Sequence, residues 1–263
     1  MGAQPVAVRV ENSFIFAHGV GETTERQLWR EGILHWDDVP TCSVVSRRKR
    51  GAICEFADRA RDELDAGNVP FFDARLPGPE RWRLADSFRE QCCYLDIETT
   101  GLDHHHDVVT TVSIHQNDET TTLIRGDDLT RDRLEAELAA AGLLVTFNGI
   151  SFDVPFLETA FDLSIDVPHL DLRYPAKRLE LTGGLKRIEQ LLGIERDLPD
   201  IDGREAVELW YRHERGEDGA LETLVRYNRD DTRNLETLLD VVVRRLDEQV
   251  YVPHIPADVG GRT

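Results

Sequence analysis

The spacing of apolar positions changes character near residue 90. From Gln91 onward, CCYLDIE is a short apolar run ending in acidic residues, DVVTTVSIHQ alternates with period two, and ETTTLIRG follows after a short turn. Alternation on this scale predicts strands, and the tight connections predict an antiparallel three-stranded meander. A helical stretch at about 130–141 leads to GLLVTFN, a fourth strand reached by a crossover and therefore expected parallel to the first. HLDLR supplies a fifth strand between the helical segments SFDVPFLETAF and GGLKRIEQLLG, and two more helices are read from REAVELWYRHE and ALETLVRYNRDDTRNLETLLDVVVRRL. This order predicts an α/β fold, a mixed five-stranded sheet flanked by helices.

Before residue 90 the pattern is helical. Residues 14–39 place Gly19-Val20-Gly21 before a helical stretch with apolar Leu28 and Trp29, then a second short turn and a further helix start. The arrangement resembles a helix-hairpin-helix unit, whose glycines let backbone N–H groups approach a phosphate. A packing corner needs the same glycines, and both readings stand. The run Arg47–Arg50 is the densest positive charge in the chain, open to two readings, a nucleic-acid contact or a solvated loop. A helix over about 51–64, a proline-containing stretch and PERWRLADSFRE follow, the last with Trp82, Leu84 and Phe88 on one helix face. The expected organisation is a small helical domain over 1–88, an α/β domain over 89–250 and a tail over 251–263.

Composition adjusts this picture in three ways. The 263 residues contain no long apolar run, and the N-terminus lacks the basic and apolar regions of a signal peptide, so a soluble cytoplasmic protein with no membrane partner is expected. Cys42, Cys54, Cys92 and Cys93 lack paired C-x-x-C spacing and read as free thiols. The net charge of −19 is unevenly spread: residues 1–90 carry 13 basic and 15 acidic side chains, and residues 91–263 carry 18 and 35. With only three lysines among 31 basic residues, the composition is similar to that of salt-adapted proteins, whose self-repulsion is tolerated under strong screening.

Carboxylates supply the candidate chemistry. Asp96 and Glu98 share one side of the first strand, roughly 7 Å apart by strand geometry, and such a pair at the end of a buried run calls for a counter-charge. Hard oxygen ligands suit Mg²⁺ or Mn²⁺. Asp153, where NGISFD enters a helix, is delivered to the same sheet edge if its strand neighbours the first, although a helix-start carboxylate also favours the dipole without any metal. In the last helix, Leu221, Leu224, Val225, Leu235, Leu238, Leu239 and Val242 form an apolar stripe that Asn228 and Asp231 continue. A carboxylate on a buried stripe is costly unless paired or metal-bound, and Tyr227 stands one turn before Asp231.

DIETTGL, NGISFD and YNRDD together resemble the three exonuclease motifs of the DEDD superfamily of DnaQ-like nucleases, in the subclass whose last motif is Y-x-x-x-D; Arg226 stands where the histidine subclass has its His. GVGETTERQLW, RWRLADSFRE, HLDL, GLKRIEQLLGI and AVELWYRHERG extend the likeness to the YprB-like group of RNase H-like exonucleases. That resemblance implies an RNase H-like fold and a 3′-to-5′ exonuclease that releases 5′-mononucleotides from single-stranded DNA or RNA 3′ ends with two Mg²⁺ or Mn²⁺ ions. It implies that Asp96, Glu98, Asp153 and Asp231 ligate metal, with Asp96 shared between both ions, and that Tyr227 orients the attacking water. It also implies substrate contacts for Thr99, Gly101, Leu102, Asn148 and Phe152, for which ordinary packing is the other reading. His104, His105 and His106 read as a solvated loop rather than ligands, and His169 and Asp171 match a recurring element without an assigned role. A nucleic-acid-binding module with an inactive nuclease fold and an RNase H-type endonuclease are the competing functions; the first is disfavoured because all four carboxylates and the tyrosine are present.

Overall fold

The computed structural model describes residues 8–256, so residues 257–263 of the expected tail lie outside the described residues. The chain divides into two compact units, Glu90–Asp240 on one side and, on the other, the described residues up to Arg89 together with those from Val241.

The central unit is built on five strands: β1 (Cys92–Thr99), β2 (Val109–Gln116), β3 (Glu119–Ile124), β4 (Leu143–Thr146) and β5 (His169–Asp171). Their order is β3-β2-β1-β4-β5, with β3–β2 and β2–β1 paired antiparallel and β1–β4 and β4–β5 paired parallel. The meander, the crossover and the fifth strand therefore form as the sequence predicts, and the fold is the expected mixed five-stranded sheet flanked by helices. Alternation along β1 sends Cys93, Leu95 and Ile97 into an apolar core with Val109, Leu144, Phe156 and Leu157. It leaves Asp96 and Glu98 together on the opposite face.

Helices α4 (Arg131–Leu138), α5 (Asp153–Phe161), α6 (Arg173–Arg178), α7 (Leu185–Leu192) and α8 (Gly203–Glu214) follow among and after the strands. The final helix, α9 (Ala220–Val250), buries Leu224, Leu235, Leu238, Leu239 and Val242 along the expected stripe, and Asn228 and Asp231 are buried in line with them. Ala206, Leu209 and Trp210 of α8 pack against Leu224 and Tyr227 in a second apolar cluster. No helix among the described residues is long and apolar enough to cross a membrane.

In the other unit, α1 (Glu22–Arg30) follows Gly19, whose φ of 77° lies in the left-handed region that favours glycine, and α2 (Arg47–Asp65) and α3 (Val69–Asp73) follow. Two expectations are corrected here. The Arg47–Arg50 run is not a loop but the first turn of α2, capped by the Ser46 hydroxyl accepting from Lys49 N–H. PERWRLADSFRE is not an α-helix: Gly78–Leu84 forms a 3₁₀ helix that continues into turns. Trp82, Arg83, Leu84 and Ala85 are all fully buried, and four consecutive buried residues cannot lie on one α-helical face. The four cysteines are free, as read.

Candidate active site

Strand β1 and helix α9 bring the carboxylates together. One oxygen from each of Asp96, Glu98 and Asp231 lies within 4.8 Å of the others. Asp153 opens α5 and accepts a hydrogen bond from Ile97 N–H at 3.2 Å, which ties its carboxyl to the residue between Asp96 and Glu98. Asn228 fixes the first of them, donating to Asp96 Oδ2 at 2.7 Å and to the Asp96 carbonyl at 3.2 Å, while its own carbonyl accepts from the Thr111 hydroxyl at 3.0 Å. The polar interruption of the α9 stripe thus has a partner at each end.

This concentration of negative charge is reflected in proton affinity. Desolvation, reinforced by the neighbouring carboxylates, raises Asp96 and Glu98 well above the ordinary carboxylate range. Burial pushes Asp153 up to about 7. Asp231 is likewise pushed up to about 7 by burial, even though the Arg196 guanidinium beside it acts in the opposite direction. Burial and the same carboxylates drive the Tyr227 phenol far above its usual value, so it is a hydrogen-bond donor and not a base.

Arg196, in the loop after α7, is the cation that meets this cluster, and the sequence reading missed it. Its guanidinium bridges Glu189 and Asp231, and its Cζ stands 5.5 Å from the centre of the Tyr227 ring. Glu189 is held in turn by Asn234 at 3.0 Å. Nothing periodic marks Arg196, whose partner Asp231 lies 35 residues further on.

The remaining expected residues stand at the end of β1 and in the turns that follow β1 and β4. Thr99 closes β1 and donates to the Gly101 carbonyl at 2.5 Å; Leu102 beyond that turn is 84% exposed. Asn148 has a φ of 71°, a left-handed conformation held by Asp171, which accepts from Asn148 N–H at 2.7 Å, Ile150 N–H at 3.2 Å and Arg173 N–H at 3.0 Å. Asp171 of HLDL therefore positions the Asn148 loop, and His169 supports it through the Thr146 hydroxyl at 2.8 Å. Leu102, Asn148 and Phe152 line one groove with Arg173, Tyr174 and Lys177. His104, His105 and His106 lie on the loop after β1, with the His104 ring edge-on to Phe156 at 5.9 Å and His106 paired to Asp103 at 2.8 Å.

Gly149 is set by close approach: a Cβ there would lie 2.3 Å from Thr146 Oγ1 and 2.6 Å from its Cβ. Thr146 is buried and held by His169, so it cannot give way easily. Gly149→Ala is expected to lower unfolding free energy by about 1–3 kcal/mol in denaturant titrations.

Residues 93–243 match the family described as the RNase H superfamily. Among solved structures, one described as the apo form of a nuclease is 20% identical and covers 64% of this chain and 80% of that chain, with a TM-score of 0.46. The family B DNA polymerase from the hyperthermophilic archaeon Pyrobaculum calidifontis is 20% identical, covers 65% of this chain and 27% of that chain, and has a TM-score of 0.49. Brucella melitensis NrnC with bound Mg²⁺ is 21% identical, covers 64% of this chain and 80% of that chain, and has a TM-score of 0.44. No curated protein sequence matches.

Proposed function

Because the chain belongs to the RNase H superfamily, we propose that it is a divalent-metal-dependent 3′-to-5′ exonuclease acting on single-stranded DNA or RNA. The observation that carries this reading is the meeting of Asp96, Glu98 and Asp231 oxygens within 4.8 Å, with Asp153 tied to the same strand end. These residues fit the metal that the reading requires. The donors are hard oxygens, and their proton affinities are raised first by burial and then by neighbouring carboxylates, with the Arg196 guanidinium acting in the opposite direction on Glu98 and Asp231. Bound Mg²⁺ or Mn²⁺, two ions in this reading, would supply the positive charge that acidifies water and stabilises the leaving 3′-oxygen.

Asp96, Glu98, Asp153 and Asp231 would hold the ions, with Asn228 keeping Asp96 in place. Tyr227, protonated throughout the neutral range, donates a hydrogen bond that orients the attacking water. Thr99 and Gly101 shape the turn that presents Leu102, and Leu102, Asn148 and Phe152 receive the terminal nucleotides. Apolar contact and base stacking of this kind tolerate any base, so weak sequence preference follows.

The test follows 3′-labelled single-stranded DNA and RNA with Mg²⁺ or Mn²⁺, at low and multimolar KCl, because the salt-adapted composition is part of the proposal. Label released as a 5′-mononucleotide supports the reading; label retained under every condition rejects it.

A pH dependence accompanies this site. Asp153 and Asp231, ordinarily near 3.8, are pushed to about 7 in the folded protein. Folded-state pKa values above the unfolded ones give stability that is present at low pH and lost as pH rises towards 7. Metal-free protein should therefore melt at a lower temperature at about pH 8 than at about pH 5. Metal binds the deprotonated carboxylates, so Mn²⁺ should raise the melting temperature more at about pH 8. Differential scanning fluorimetry checks both.

A further inference from the structure

We propose that Arg196 is a resident counter-cation that competes with a divalent ion for Asp231, so that ion uptake at Asp231 is coupled to release of this guanidinium. The inference rests on the metal-binding reading of the carboxylates and adds a residue that this reading does not use.

Four observations point to it. Arg196 is the group that neutralises the cluster directly: one arm of its guanidinium is bound to Asp231, a member of the set whose oxygens converge within 4.8 Å. Its side chain is 3% exposed, so the pair is held in a poorly solvated place where charge interactions are strong. The other arm is bound to Glu189, which is fully buried and further held by Asn234 at 3.0 Å. Finally, Arg196 Nε is buried with no hydrogen-bond partner.

These features separate an anchoring contact from an exchangeable one. Glu189 satisfies Arg196 from outside the convergent set, so the guanidinium can lose Asp231 and remain paired. Asp231 has the reverse position, since its carboxylate meets Asp96 and Glu98 as well as Arg196. A dication drawn to those oxygens and the guanidinium are like charges sharing one carboxylate, and they cannot both be bound to it at full strength. An arginine that served only to orient Asp231 would give the opposite dependence, because its removal would loosen a ligand and weaken metal binding.

The experiment is calorimetric titration of the full chain with Mn²⁺, comparing wild type with Arg196→Met and with the double variant Arg196→Gln, Glu189→Gln. The double variant removes both charges of the anchoring pair together and keeps the test available if Arg196→Met alone leaves Glu189 unpaired and the protein unfolded. Competition predicts that Mn²⁺ binds the variants roughly 5- to 150-fold more tightly than wild type, the usual range for coupled sites. Equal or weaker binding by the variants overturns the inference while leaving the metal site intact. If neither wild type nor variants take up Mn²⁺, the metal reading falls and the inference with it.

Discussion

Asp96→Asn is expected to cut phosphodiester hydrolysis by at least about 10³-fold, the scale on which positioned charge stabilises a reacting phosphate, and yet to make the metal-free protein melt at a higher temperature. The two effects share one cause. Asp96 carries a carboxyl whose proton affinity is raised first by desolvation and then by Asp231, Asp153 and Glu98, so above neutral pH its presence penalises the metal-free fold. An amide of the same shape removes that penalty and still accepts from Asn228, which now donates to Asp96 Oδ2 at 2.7 Å. The rise should be about 2–4 °C for each kcal/mol relieved in a protein of this size. Activity assays and thermal melts at about pH 8 on the same preparations check the pair. Loss of activity with a lower melting temperature would mean that Asp96 supports the fold and is not an electrostatic burden held for chemistry.

Arg83 carries the second large effect, on stability. It is fully buried and pairs with Glu25 at 2.9 Å and Glu80 at 2.7 Å, whose side chains are 1% and 3% exposed. Burial raises the Glu25 carboxyl even with Arg83 beside it, so desolvation dominates and the arginine is what keeps the charge tolerable. Glu25 also accepts from Phe14 N–H at 2.7 Å and Ile15 N–H at 3.3 Å, which links the triad to the turn before α1. Removing one partner of a buried ion pair costs about 3–5 kcal/mol because the other is left uncompensated. Arg83→Met should therefore destabilise by that amount in denaturant unfolding. Combining it with Glu25→Gln and Glu80→Gln should recover most of the loss, since replacing all the charges avoids stranding any of them. A single variant that unfolds like wild type would remove Arg83 from the stability account.

Legibility of this chain in its sequence follows the range of the interactions. Period-two alternation depends on neighbours, so β1, β2 and β3 and their meander could be read directly, and the crossover to β4 followed from connection rules. Asp231 was legible for a different reason: a charged residue on an apolar stripe is an anomaly that needs a partner, and Asn228 beside it already donates to Asp96. What escaped the sequence depends on contacts made by folding. Arg196 meets Asp231 and Glu189 from a loop without periodicity. Asp171 shows its role only once β5 sets it under three backbone N–H groups. Helix α6 went unread because it is six residues long with Pro175 inside it. The 3₁₀ segment Gly78–Leu84 deceived because apolar spacing alone does not reveal that Arg83, between two apolar residues, is also buried.

The central claim is that the carboxylate cluster removes nucleotides from a free 3′ end with divalent metal. It is tested most directly by incubating a 5′-labelled linear single strand, and the same sequence closed into a circle, with Mg²⁺, with chelator, and with the Asp96→Asn protein. The prediction is a ladder shortening one nucleotide at a time for the linear strand with Mg²⁺, and no change in the circle, with chelator or with the variant. A nicked circle, or linear shortening that survives chelator or Asp96→Asn, would contradict it.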